Sequence, residues 1–224
     1  MRIQRVILIL SNLWSSIRRH GIIATIRKVL KLAKAHKPDL FDLRYGIDTS
    51  RIEPLWSLSI DSKIVRFGFR YEVTGEDEFT EALAMIPGPL EQFTFIDLGC
   101  GKGRTLVMAA QMRFAEVIGV AFARELVETA RRNFEILGLS GTIIQQDAAD
   151  FEFPARNIVV YMYNPFSEEV MMKVLHNIRA TRSGVTYIIY KVPLCADMLD
   201  KSEWLTSIGS PRGRNYIRLW KSSE

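Results

Sequence analysis

The chain has 224 residues, 48% hydrophobic and 10% aromatic, which suits one moderately large domain with a substantial core plus an appendage. Two cysteines, Cys100 and Cys195, and three histidines, His20, His36 and His176, offer neither metal-ligand spacing nor a disulfide framework, so no metal and a reducing, cytoplasmic compartment are expected. The formal charge of +5 is concentrated at one end: residues 1–37 hold nine Lys or Arg and no Asp or Glu, and the other 21 basic and 25 acidic residues leave the remainder at −4, which argues against a nucleic-acid substrate.

Ile3, Val6, Ile7, Leu10, Leu13, Trp14 and Ile17 recur at helical spacing, and Ile22, Ile26, Val29, Leu30 and Ala33 repeat the pattern after Gly21. Residues 1–37 therefore read as a basic amphipathic helical arm. Its longest uninterrupted apolar run, Val6 to Leu10, is too short to span a bilayer, and Arg5 interrupts any signal-peptide core. The arm either lies on an anionic membrane surface or an acidic partner, making the protein peripheral, or caps its own domain. Residues 38–75, opened by Lys37-Pro38-Asp39 and rich in turn formers, read as an irregular connector and lid over the domain. Within it Thr74 is placed to cap a following helix, with Asp77 three residues on.

From residue 76 to the end, helix and strand alternate. Helices are expected at 76–86, 103–113, 124–137 and 167–181, and strands at 93–98, 116–121, 142–146, 157–163 and 184–191. Trp204–Ile208 and Tyr216–Trp220, joined by a Gly/Pro-rich turn, add an antiparallel hairpin. The fold class is α/β: a doubly wound, mostly parallel seven-stranded sheet with an antiparallel C-terminal hairpin.

The most informative segment is Phe93-Thr94-Phe95-Ile96-Asp97-Leu98-Gly99-Cys100-Gly101-Lys102-Gly103-Arg104, an apolar strand that stops at a carboxylate and enters a helix through three alternating glycines. Glycines there permit a tight bend and close approach of a ligand to the backbone. The run does not complete a phosphate-cradling G-x-x-x-x-G-K-[ST], and Arg104 stands where a dinucleotide G-x-G-x-x-G needs its third glycine. A carboxylate followed by G-x-G-x-G resembles the first motif of the class I S-adenosylmethionine (SAM) methyltransferases, and the resemblance extends over roughly residues 68–220; the terminal hairpin resembles the last two strands of that family's sheet.

That resemblance implies SAM as cofactor, with Gly99, Cys100, Gly101 and Gly103 along its methionine portion and Asp97 at its ammonium end. It implies that Asp147 accepts from the adenine amino group, with Ala148 offering a backbone N–H to the same ring; capping of the next turn is the alternative role of Asp147. Phe122 lies beside the adenine or in the core, and Tyr71 and Thr74 line the methionine end. The sequence departs from the family at Ala121, where an acid ordinarily accepts both ribose hydroxyls; Glu125 or a water is the available substitute. Asn164-Pro165-Phe166 resembles the fourth motif of amino-group methyltransferases, so these are the candidate catalytic residues. An amide oxygen and a proline-turn carbonyl can hold an amine by its N–H groups while its lone pair stays free for in-line attack. Tyr161, Tyr163 and Lys191 sit near strand ends, and alternation does not decide whether they face the pocket. The functional expectation is methyl transfer to a nitrogen on a protein side chain or small molecule. The alternatives are a catalytically inactive SAM-fold module docked by its basic arm, and a nucleic-acid base N-methyltransferase.

Overall fold

The computed structural model describes residues 18, 21–23, 38–51, 73–164, 166–181 and 183–223. The two helices expected in the arm lie almost entirely outside this set; of that region, Arg18, Ile22 and Ile23 are helical, and Gly21 between them has φ 79°.

One seven-stranded sheet organises the domain in the order β3-β2-β1-β4-β5-β7-β6, with β1 at Thr94–Leu98, β2 at Glu116–Ala121, β3 at Thr142–Gln145, β4 at Ile158–Tyr163, β5 at Thr186–Lys191, β6 at Leu205–Gly209 and β7 at Ile217–Ser222. β1 to β5 pair in parallel, and β7 runs antiparallel between β5 and β6. Continuously apolar strands such as Ile-Val-Val-Tyr-Met-Tyr in β4 suit the middle of such a sheet, because helices cover both of its faces.

On one face, α2 (Glu76–Leu83), α3 (Arg104–Ala110) and α4 (Arg124–Leu137) set Phe79, Leu106, Val107, Ala130 and Phe134 against Phe95, Val159, Tyr161 and Ile189. On the other, α5 (Glu168–Thr181) sets Met171, Val174 and Ile178 against Ile96, Leu98, Val160, Met162 and Ile188. α4 shows why these segments become helices: Leu126, Val127, Ala130 and Phe134 line up at three- and four-residue steps, and Gly138 stops the helix at φ 60°.

Among the described residues, two short α-helices interrupt stretches in which no element was expected. α1 (Leu40–Tyr45) lies in the connector read as irregular, and α6 (Ala196–Asp200) follows β5. α1 forms because both of its ends are capped: the Asp39 carboxylate accepts the Asp42 N–H, and Gly46 turns left-handed at φ 67°. The residue capping α2 is Gly75 rather than Thr74. Glu78, not Asp77, closes the cap, its Oε1 accepting the Gly75 N–H at 2.7 Å.

Candidate functional site

In an open α/β sheet a ligand site forms beyond the carboxyl ends of the strands where their order reverses, here between β1 and β4. Asp97 sits at that point. It pairs in register with Gly119 of β2 and Tyr161 of β4, is buried, and its Oδ2 accepts from the Thr105 hydroxyl of α3. Burial pushes its carboxyl up to about 7, against which the Thr105 hydrogen bond works only in part.

Gly99, Gly101 and Gly103 all hold positive φ, at 87°, 54° and 82°, a sequence of turns that residues with a Cβ adopt only under strain. Gly99 and Cys100 donate their N–H groups to the Val120 carbonyl, so the loop is hung from β2. The Cys100 side chain turns into the core, where a Cβ on Gly119 would come within 3.0 Å of its sulfur; whatever Cys100 offers a ligand is backbone.

The loop's two cations face backwards. Lys102 is 1% exposed and donates to both carboxylate oxygens of Asp48 at 3.2 and 3.3 Å and to the Arg51 carbonyl at 2.9 Å. Arg104 donates from Nε to Thr49 Oγ1 at 2.9 Å, binds Asp39, and lies 4.4 Å above the Phe41 ring. Asn133 of α4 donates to the carbonyls of Asp48 and Lys102, while Asp42 collects the N–H and hydroxyl groups of Thr49 and Ser50. Burial raises the Asp42 carboxyl, but those hydrogen bonds outweigh it and hold it below its ordinary value. Reasoning along the sequence missed this network; the signal present was three aspartates at 39, 42 and 48 matched against two cations inside the glycine run.

At the end of β2, Ala121 is buried in the core and Phe122 is 38% exposed, so Phe122 is a surface aromatic at the rim. At the end of β3, Asp147 caps the short 3-10 turn Ala148–Asp150, with Oδ1 accepting the Ala149 N–H at 2.9 Å. Ala148 is buried behind it.

The ends of β4 and β5 carry two strained residues side by side. Asn164 has φ 38° and Val192 φ 51°, and they follow Tyr163 and Lys191, which pair in register. For a β-branched residue such a φ is a genuine outlier, and strain of this kind gathers at functional sites. A short relay orients the Asn164 amide: the Tyr190 hydroxyl donates to its Oδ1 at 3.3 Å and accepts the Cys195 N–H at 3.4 Å. Phe166 packs against the core beneath α5. Pro165 and Tyr71 lie outside the described residues.

Thr74 meets Tyr161 of β4, their hydroxyls 2.7 Å apart and both residues buried. Lys191 forms a buried ion pair with Glu78, reaches the Val73 carbonyl at 3.5 Å and sits 4.1 Å above the Tyr163 ring. Together these contacts clamp residues 73–78 onto the rim. Neither Tyr161 nor Lys191 is therefore an unpartnered pocket group.

The donor set suits SAM at two of its parts. A buried carboxylate with one described side-chain hydrogen bond at the mouth of a glycine turn matches an ammonium group, and an exposed aromatic after β2, with Asp147 after the neighbouring β3, matches a purine. At the end of β2, where the family resemblance expects a ribose-binding acid, Ala121 supplies no side-chain acceptor; the nearest acid in sequence is Glu125, half-buried in the first turn of α4.

Residues 95–182 match the family described as methyltransferase domain. No curated protein matches the chain. Among solved structures, the ribosomal protein L11 methylase of Lactobacillus delbrueckii subsp. bulgaricus is 16% identical with a TM-score of 0.50, the match covering 67% of this chain and 80% of that one. A precorrin 8W decarboxylase of Methanobacterium thermoautotrophicum is 18% identical, also with a TM-score of 0.50, covering 68% of this chain and 92% of that one. At such identities the likeness is one of fold, and one fold carries more than one chemistry.

Proposed function

We propose that this chain is a class I, Rossmann-like SAM-dependent methyltransferase, a reading supported by its fold and its matched domain, and that it binds SAM across the ends of β1 to β4 and methylates a nitrogen on a protein side chain or small molecule. One observation carries the reading: the buried carboxylate of Asp97, which has no cation against it among the described residues, and Asn164, whose backbone is strained at φ 38°, stand at the ends of two adjacent parallel strands at the switch point. When bound, SAM supplies an electrophilic methyl on a sulfonium. Asp97 holds the ammonium end, the glycine loop lies along the methionine portion, and Phe122 and Asp147 take the adenine. Asn164 Oδ1, oriented by Tyr190, accepts an N–H of the incoming amine and aims its lone pair at the methyl carbon. SAM bound there would supply its methyl to the amine nitrogen and leave as the thioether, and the amine's proton would pass to solvent.

Calorimetry with SAM tests binding, and transfer of labelled methyl to a panel of amines and proteins tests chemistry. Asn164→Ala is expected to lower transfer at least tenfold while leaving affinity for the demethylated product, S-adenosylhomocysteine (SAH), within twofold. Absence of binding at millimolar SAM sinks the proposal. Ala121 favours a second reading, a SAM-fold module without catalysis; binding of SAH together with no transfer to any acceptor would select it.

For residues 1–37 we propose an anionic membrane surface as the partner, an acidic protein partner or the chain's own domain being the other occupants expected from sequence. Nine cations without an acid occupy that segment, Ile22 and Ile23 are exposed, and on α1 just beyond it Leu40 and Leu43 turn outward. No helix among the described residues is long and apolar enough to cross a membrane. The full chain should co-sediment with phosphatidylserine vesicles at low salt, and Arg27→Glu, Lys28→Glu and Lys31→Glu together should release it.

A further inference from the structure

We propose that residues 38–51 are part of the cofactor site, and that Asp48, Lys102 and Asn133 are positioning residues that set the shape of the glycine loop. This rests on the reading of that loop as the SAM cradle.

The three residues close a ring of bonds around the loop's centre. Lys102 stands between Gly101 and Gly103, and its side chain grips the Asp48 carboxylate. Its own carbonyl accepts the Asn133 amide at 3.0 Å. The same amide group binds Asp48 twice, donating to its carbonyl at 2.9 Å and accepting its N–H at 3.1 Å. Arg104, the first residue of α3, adds a second tie to Thr49 and Asp39. Together these contacts tie the loop to residues 39–51 and to α4.

A loop with three left-handed glycines needs such a brace. Ordering one backbone residue costs about 1–2 kcal/mol, and glycine has the most freedom to lose. Without the ring, that ordering would fall on the ligand, and apparent affinity would drop in proportion to the fraction of loops already shaped. Stability alone is a poor reason for a buried lysine here, since burying an ion pair contributes little net and an apolar side chain would fill the space at lower desolvation cost. What the ion pair and the shared amide do provide is direction: they hold the middle residue of the turn by both side chain and carbonyl.

The test uses the full chain with Asp48→Asn, Lys102→Met and the double variant. Amide exchange at Gly99, Cys100 and Gly103 is measured without ligand, and SAH affinity by calorimetry. Each single variant should speed loop exchange about tenfold, leave β4 and β5 amides unchanged, and weaken SAH binding about tenfold. The double variant should be no weaker than the worse single one, because the two residues act as a unit. If Lys102→Met does not fold, Asp48→Asn decides alone, its side chain being 34% exposed. A lower melting temperature with loop exchange and SAH affinity within twofold of wild type would show a merely structural tie and overturn the proposal. A wild-type chain that fails to bind SAH overturns the functional reading, and this inference with it.

Discussion

The carboxyl ends of β1 and β2 lie side by side, yet they are built on opposite principles. At the end of β1 stand a buried carboxylate, three left-handed glycines and a brace of ion pairs; at the end of β2 stand Ala121, Phe122 and Ala123, with no polar side chain among them. If both ends contact one ligand, binding energy is concentrated at its charged amino-acid end, while the ribose is held by shape and the purine by an aromatic face. The contrast yields measurements on each side.

The largest effect belongs to Asp97. Asp97→Asn keeps the shape and removes the charge, so SAH affinity should fall about a hundredfold, in line with one or two charge-assisted hydrogen bonds of about 1.5–3 kcal/mol. Melting temperature should not fall at neutral pH, because the wild-type carboxylate carries a desolvation cost there. The sign follows from the raised pKa: Asp97 favours the folded state fully below its unfolded value of about 3.9, and that contribution is lost as pH rises to about 7. An unchanged SAH affinity in this variant would remove Asp97 from the cofactor site.

The same carboxyl makes binding pH-dependent. A cationic ammonium prefers the ionised form, so SAH binding should release a proton below pH 7, and affinity should rise severalfold from pH 6 to pH 8. Calorimetry in buffers of different ionisation enthalpy counts the proton, and Asp97→Asn should abolish both effects. A flat profile in the wild-type chain would mean that the ligand's charge lies elsewhere.

On the β2 side the comparison can be sharpened by adding what is missing. Ala121→Asp places a carboxylate on the same sheet face as Asp97, since Ala121 follows Gly119 by two residues and Gly119 pairs with Asp97. The free protein should melt a few degrees lower, as a buried acid without a partner is unfavourable. SAH affinity should nonetheless rise about tenfold as the ribose hydroxyls supply that partner. A variant that loses stability without gaining affinity would place the ribose away from β2.

What sequence made legible follows the same division. The elements on which β1 and β2 depend were set by local rules: the apolar strand runs, the helical spacing of α4 and the alternating glycines appear in the fold within a few residues of where they were expected. The brace was not legible, because its bonds join residues 31 to 85 positions apart and no local pattern says that Lys102 and Arg104 point rearward. α1 was missed for a related reason. Its six residues are too few to display a period, and they are held by caps and by the contact of Phe41 with Arg104. Thr74 illustrates the limit at the rim: its position before a helix suggested a cap, whereas its hydroxyl is taken by Tyr161 and Glu78 does the capping.

That last pair also supplies the smallest expected effect. Thr74 and Tyr161 are buried, and Tyr161's hydroxyl proton is held more tightly than usual, first because of burial and despite its bond to Thr74. Thr74→Val leaves the phenol without its described partner, at a cost of about 1–3 kcal/mol; Tyr161→Phe in the same background removes the orphaned group and should restore part of the loss. For a chain of this length about 1 kcal/mol corresponds to roughly 2–4 °C in melting temperature, so the first variant should melt several degrees low and the double variant higher than the first. SAH affinity should stay within about threefold, because the pair fastens Thr74, just before α2, to β4 and makes no described hydrogen bond to the glycine loop. A tenfold loss of affinity in Tyr161→Phe alone would show that the rim, and not only the β1 end, bears on the ligand.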